Sequence, residues 1–194
     1  MLFITDNLLA KASETIKKCN LGDIFNQKKY TIADTPLSYR QANTLDKDKL
    51  LNDNRTGGKG WRKFSFKELV YIDIVLDLKK FGVKHEQLKQ LWQSFFKEPD
   101  GLLVPSLVPN RGESEIAISS VFGGVEMVLC IDSDGEILYF DPQFSTKYSQ
   151  SSKPLIRVSL NVVINKIIKL IIKEELPVED SIKKLIVEYK LIEK

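Results

Sequence analysis

The chain has 194 residues, 43% hydrophobic and 28% charged, a length and mixture that bury a sizeable core and exclude wholesale disorder. Mean hydropathy is -0.16, and the most apolar stretch, 160–172, is interrupted by Asn165, Lys166 and Lys169, so no membrane-spanning protein is implied. Cys19 and Cys130 lie too far apart in sequence to suggest a disulfide framework or a metal cluster, and they suit a reducing, cytoplasmic compartment.

The N-terminal segment reads as a short amphipathic helix near 7–19, with Asp6 early and Lys17 and Lys18 late, the reverse of a secretory leader. A compact region follows from about 30 to 97. In "TPLSYRQANTLDKDKLL" Ser38 is placed to cap a helix running from Tyr39 to about Asp46. Glycines 57, 58 and 60 allow a tight hairpin, in which "WRKF" alternates Trp61 and Lys63 on one face with Arg62 and Phe64 on the other. Ser65 and Glu68 form a capping box that starts a helix at Phe66. Apolar residues cover most of that helix, which predicts burial, and Gly82 is placed to stop it. Leu88, Leu91, Trp92, Phe95 and Phe96 then recur at helical spacing. The short Gly-centred connection makes the two helices antiparallel neighbours.

A Pro- and Gly-rich segment, 98–114, reads as a linker between an N-terminal domain (1–97) and a C-terminal one (115–194). Strands are expected near 115–121, 125–131 and 136–140, with Asp134-Gly135 as a hairpin turn, and "PLIRVSL" as a fourth. Residues 145–153 read as a polar loop. A helix capped by Ser159 should cover about 160–174, and another about 178–190. The expected fold class is α+β: a winged helix-turn-helix domain followed by a small antiparallel sheet with two C-terminal helices.

Charge is unevenly spread. Residues 1–98 hold 18 Lys and Arg against 12 Asp and Glu, whereas 99–194 hold 11 against 14. A basic front half suits a polyanionic partner.

Residues 30–95 resemble the winged-helix DNA-binding domain of the MerR family of bacterial transcription regulators. The resemblance rests on an ordered set: Ser38-Tyr39-Arg40-Gln41 opening a recognition helix, the pair Leu50-Leu51, Arg55, the wing Gly60-Trp61-Arg62-Lys63-Phe64, a long helix at 66–80, the turn Gly82-Val83 and a further helix at 84–96. The sequence departs from the family where the first helix is shortened, about five residues separating Ile32 from Leu37, and where Asn43, Thr44 and Leu45 stand in place of an Arg and an aromatic pair. The resemblance implies double-stranded DNA as partner, a homodimer and a C-terminal effector-binding part; the C-terminal helices are the expected dimer contact.

Side-chain chemistry supports a DNA role independently. Tyr39, Arg40 and Gln41 are of types that reach base edges and phosphates, Arg40 towards guanine and Gln41 towards adenine. Arg55, Lys59, Arg62 and Lys63 are expected to neutralise phosphates, with Trp61 at the sugar edge. Alternatively, Trp61 and Phe64 anchor the wing on the next helix, Tyr39 packs inward, and Arg55 and Arg62 are plain surface charges. His85, the sole histidine, sits in a helix first turn among charged residues, and Asp132-Ser133-Asp134-Gly135 opens like a calcium loop but lacks the remaining ligands. No catalytic set, metal site or cofactor is expected. The alternative function is a protein-interaction module on a winged-helix scaffold that does not bind DNA.

Overall fold

The computed structural model describes residues 2–3, 10, 14, 25–51, 55, 60–96, 112–140 and 154–173. A 3-10 turn at Ile32–Asp34 precedes the helices α1 (Tyr39–Lys47), α2 (Phe66–Lys80), α3 (His85–Phe96), α4 (Glu113–Phe122) and α5 (Leu160–Lys173). The strands are β1 (Leu2–Phe3), β2 (Val128–Asp132), β3 (Ile137–Phe140) and β4 (Leu155–Ser159). The class is α+β. No described helix is long and apolar enough to cross a membrane. The expected helix at 178–190, the loop at 145–153, the linker up to Arg111 and the tip of the hairpin lie outside the described residues, as does the N-terminal helix apart from Ala10 and Glu14, which are helical.

Helix boundaries follow local chemistry. The Ser65 hydroxyl accepts from the Glu68 N–H at 3.2 Å while the Glu68 carboxylate accepts from the Ser65 N–H at 2.7 Å, satisfying orphan donors at the start of α2. At its end Gly82 takes φ +74, so that Val83 N–H reaches the Leu78 carbonyl at 3.1 Å. Helix α1 ends in the same manner, with Leu50 N–H on the Leu45 carbonyl at 2.8 Å, but the left-handed position is held by Lys49 at φ 57. Such a conformation costs a residue with a Cβ about 1 kcal/mol.

One expectation is corrected. Residues 115–121 form the body of helix α4 and not a strand. The segment is buried throughout, so it shows neither a period of 2 nor one of 3.6, and its β-branched residues favour the strand reading. What favours helix is local: Glu113 and Glu115 complement the dipole of the first turn, and Gly123 closes the last turn. The remaining three strands form an antiparallel sheet with β2 in the middle, flanked by β3 and β4. Asp134-Gly135 makes the expected turn, Gly135 at φ +84, and the Asp132 carboxylate accepts from the N–H groups of Asp134 and Glu136 at 2.9 and 2.8 Å. The two-residue strand β1 adds to the edge of β3 in parallel, Leu2 opposite Tyr139; so short a strand carries no readable period. Burial pushes the Cys130 thiol on β2 up to about 11, which keeps it protonated and inert at neutral pH.

Helix α2 lies at the centre of the core, buried from Phe66 through Val75 and again at Leu78. Residues on both sides of the expected linker contribute to this one cluster. Phe25, Phe66 and Phe122 meet with ring centroids 5.5–5.7 Å apart. Tyr71, early in α2, meets Phe95 and Phe96, late in α3, at 5.4 and 5.1 Å, so those helices run antiparallel. Charges embedded in α2 find partners on other elements: Lys67 with Glu115 of α4 at 3.1 Å, Glu68 with Lys28, and Asp73 with Lys166 of α5. Since unpaired charge in such a setting is expensive, these pairs fix which face of α2 meets which neighbour.

Two outcomes follow. Phe122→Ala should remove about 3–5 kcal/mol and shift the urea transition seen by Trp92 emission in a Trp61→Phe background together with that seen by far-UV dichroism, because one core joins the two regions. Lys49→Gly should raise the midpoint by relieving up to about 1 kcal/mol of backbone strain.

Candidate nucleic-acid interface

Helix α1 is amphipathic in a simple way: Ala42 and Leu45 face the core, while Tyr39, Arg40, Gln41, Asn43, Thr44 and Lys47 are exposed. Ser38 caps it, accepting from Gln41 N–H at 3.2 Å. In return, Gln41 Oε1 accepts from the Ser38 N–H at 2.8 Å and from its hydroxyl at 2.9 Å. The Gln41 carboxamide is therefore drawn into the capping box and offers outward only the donors on its nitrogen.

The extended segment 60–64 runs beside α1. Its foot is a single antiparallel bridge in which Phe64 N–H donates to the Tyr30 carbonyl at 2.6 Å and Tyr30 N–H to the Phe64 carbonyl at 3.0 Å. The alternation expected from "WRKF" holds: Trp61 and Lys63 are exposed, Arg62 and Phe64 buried. Phe64 is thus an anchor. Arg62 is neither an outward phosphate ligand nor a plain surface charge, because its guanidinium turns inward to Asp46, in the last turn of α1, with Nη2 2.6 Å from Oδ2.

At the opposite end of the same seam the rings of Tyr39 and Trp61 meet edge to face, with centroids 6.2 Å apart and planes at 60°. Tyr39 is 52% and Trp61 72% exposed, so neither packs inward. Arg40 and Lys63 stand beside them, both exposed. Arg55 is half-buried and engaged in an interaction of its own, and Lys59 lies outside the described residues.

Behind α1 a groove of about 380 Å³ is bounded by Arg40, Gln41 and Thr44 on one side and Lys79 and Lys80 on the other, floored by Leu45 and Leu76. Lys80 is held above its ordinary range by a hydrogen bond from its ammonium to Asp77 and by that carboxylate's charge, and so remains cationic. Its neighbourhood to Arg40 is a tertiary fact without local signal, whereas the capture of Gln41 was readable from the S-x-x-Q spacing. Among the described residues no three His, Cys, Asp or Glu side chains converge as a metal site.

The pair Arg62–Asp46 is structural first. Arg62→Met should cost about 2–4 kcal/mol by leaving Asp46 half-buried without its counter-ion, and Arg62→Met with Asp46→Leu should recover much of that, a double-mutant cycle read by urea denaturation. No protein-family model, curated protein or solved structure matches the chain.

Proposed function

We propose that the chain is a DNA-binding transcription regulator of MerR-like type, whose residues 30–95 act as a winged helix-turn-helix on double-stranded DNA. The observation that carries this reading is the continuous exposed surface made by Tyr39 and Arg40 at the start of α1 and Trp61 and Lys63 on the adjoining extended segment. In it α1 enters the major groove by its N-terminal turn, Arg40 donating to guanine or phosphate, while Lys63 on the extended segment follows the backbone. Lys79 and Lys80 extend the cationic surface behind α1.

The roles differ from residue to residue. Arg62 is a positioning residue, holding the wing stem against α1 through Asp46. Gln41 contributes chiefly by rigidifying the turn that presents Tyr39 and Arg40. The 3-10 turn at Ile32–Asp34 occupies the place of the first helix, and its end is tied by the Asp34 carboxylate to the Thr31 N–H and hydroxyl at 2.5 and 2.9 Å. With so short a first element, the brace from the wing stem replaces much of the support a full helix-turn-helix gives its second helix. Residues 115–194 are proposed to serve dimerisation or effector binding, with a homodimer through the C-terminal helices.

A second reading, a protein-interaction module without DNA binding, draws on the exposed aromatics Tyr39, Trp61 and Phe81 together with the inward turn of Arg62. Salt separates the two. With three phosphate contacts the affinity for duplex should fall roughly 40-fold between 50 and 200 mM salt, a slope of about -2.7. Arg40→Ala and Lys63→Ala should each flatten that slope by about 0.9. Fluorescence anisotropy with a labelled duplex measures both, and a parent protein without salt-dependent binding overturns the DNA reading.

A further inference from the structure

Two adjoining exposed aromatic rings amid cations have more specific chemistry than phosphate neutralisation. The indole of Trp61 leaves 72% of its surface to solvent and the phenol of Tyr39 52%, so they contribute little to the core. Their edge-to-face contact at 6.2 Å fixes the pair while leaving the outer faces open. A stacked duplex presents base edges in its grooves and hides base faces between neighbours, so it offers such rings little but sugar. An unstacked base has a flat face of matching size, on a strand whose phosphates suit Arg40 and Lys63.

We infer that Tyr39 and Trp61 form a stacking platform for an unstacked nucleobase, and that the preferred ligand is DNA opened at one position. This rests on the DNA reading above and narrows it. The base lies on the Trp61 face with the Tyr39 ring along its edge; Arg40 and Lys63 take the flanking phosphates. An open base arises from a single strand or from a distorted duplex, and the platform accepts either.

The test compares three labelled probes by anisotropy: a duplex, the same duplex with one unpaired thymine at its centre, and an oligothymidine strand. The full-length protein should bind the bulged duplex roughly 5- to 150-fold more tightly than the intact one, the range of one base stacked on an aromatic side chain. Tighter binding of oligothymidine as well identifies single strands as a source; preference for the bulge alone identifies distorted duplex. Trp61→Ala should abolish the preference, and Trp61→Phe, which keeps a ring, should retain most of it. The side chain is exposed, so the core is unaffected by either change. Equal affinity of the parent for intact and bulged duplex, or a preference that survives Trp61→Ala, overturns the platform and leaves the DNA reading standing. Loss of salt-dependent binding to every probe overturns both.

Discussion

The contact between Arg62 and Asp46 orders the exposed surface. A guanidinium turned inward from an extended segment meets a carboxylate in the last turn of α1 at 2.6 Å, and the two elements become one edge. The same segment is also tied by its bridge to Tyr30 and by the buried Phe64 side chain. Strand alternation does the rest: if Arg62 points in, Trp61 and Lys63 must point out. The aromatic pair at the other end of the seam is therefore a geometric consequence of an ion pair at this one. That pair is shielded from water on the arginine side, which lets one charge contact govern geometry where an exposed one would contribute little.

Local signals were legible wherever the physics is local. Ser38 and Ser65 announced the starts of α1 and α2, Gly82 the end of α2, and Asp134-Gly135 the turn between β2 and β3. The alternation in "WRKF" separated the two faces, yet not which of them turns inward nor what Arg62 meets, since Asp46 is sixteen residues away and nothing in the pattern marks it. For the same reason the closeness of Lys79 and Lys80 to Arg40 could not be read. The segment 113–122 misled because burial on all sides erases periodicity, leaving β-branched composition as the louder signal. Gln41 shows a third kind of difficulty. Its side chain suits adenine and also completes a capping box; the S-x-x-Q spacing carried the second use and was outweighed by the first.

Helix α2 explains how an exposed edge sits on so small a scaffold. Its apolar residues are covered on every side by the aromatic cluster, by α3 and by α5, while its charges reach outward to Lys28, Glu115 and Lys166. The Lys67 ammonium also lies 5.4 Å from the Phe96 ring centroid, so its single charge is shared between a carboxylate and an aromatic face. Each contact is modest by itself, but they leave α2 one orientation in which all are satisfied.

The bond between Asp73 and Lys166 has a bearing on how such a chain can drift. The carboxylate is 1% exposed, and its counter-ion stands on a helix ninety-three residues further on. Losing the lysine alone would strand a negative charge among leucines and isoleucines; losing the acid alone would merely free a solvated amine. Descent should thus pass through neutralisation at 73 before 166 is released, an ordered path of change imposed by electrostatics between two helices far apart in sequence.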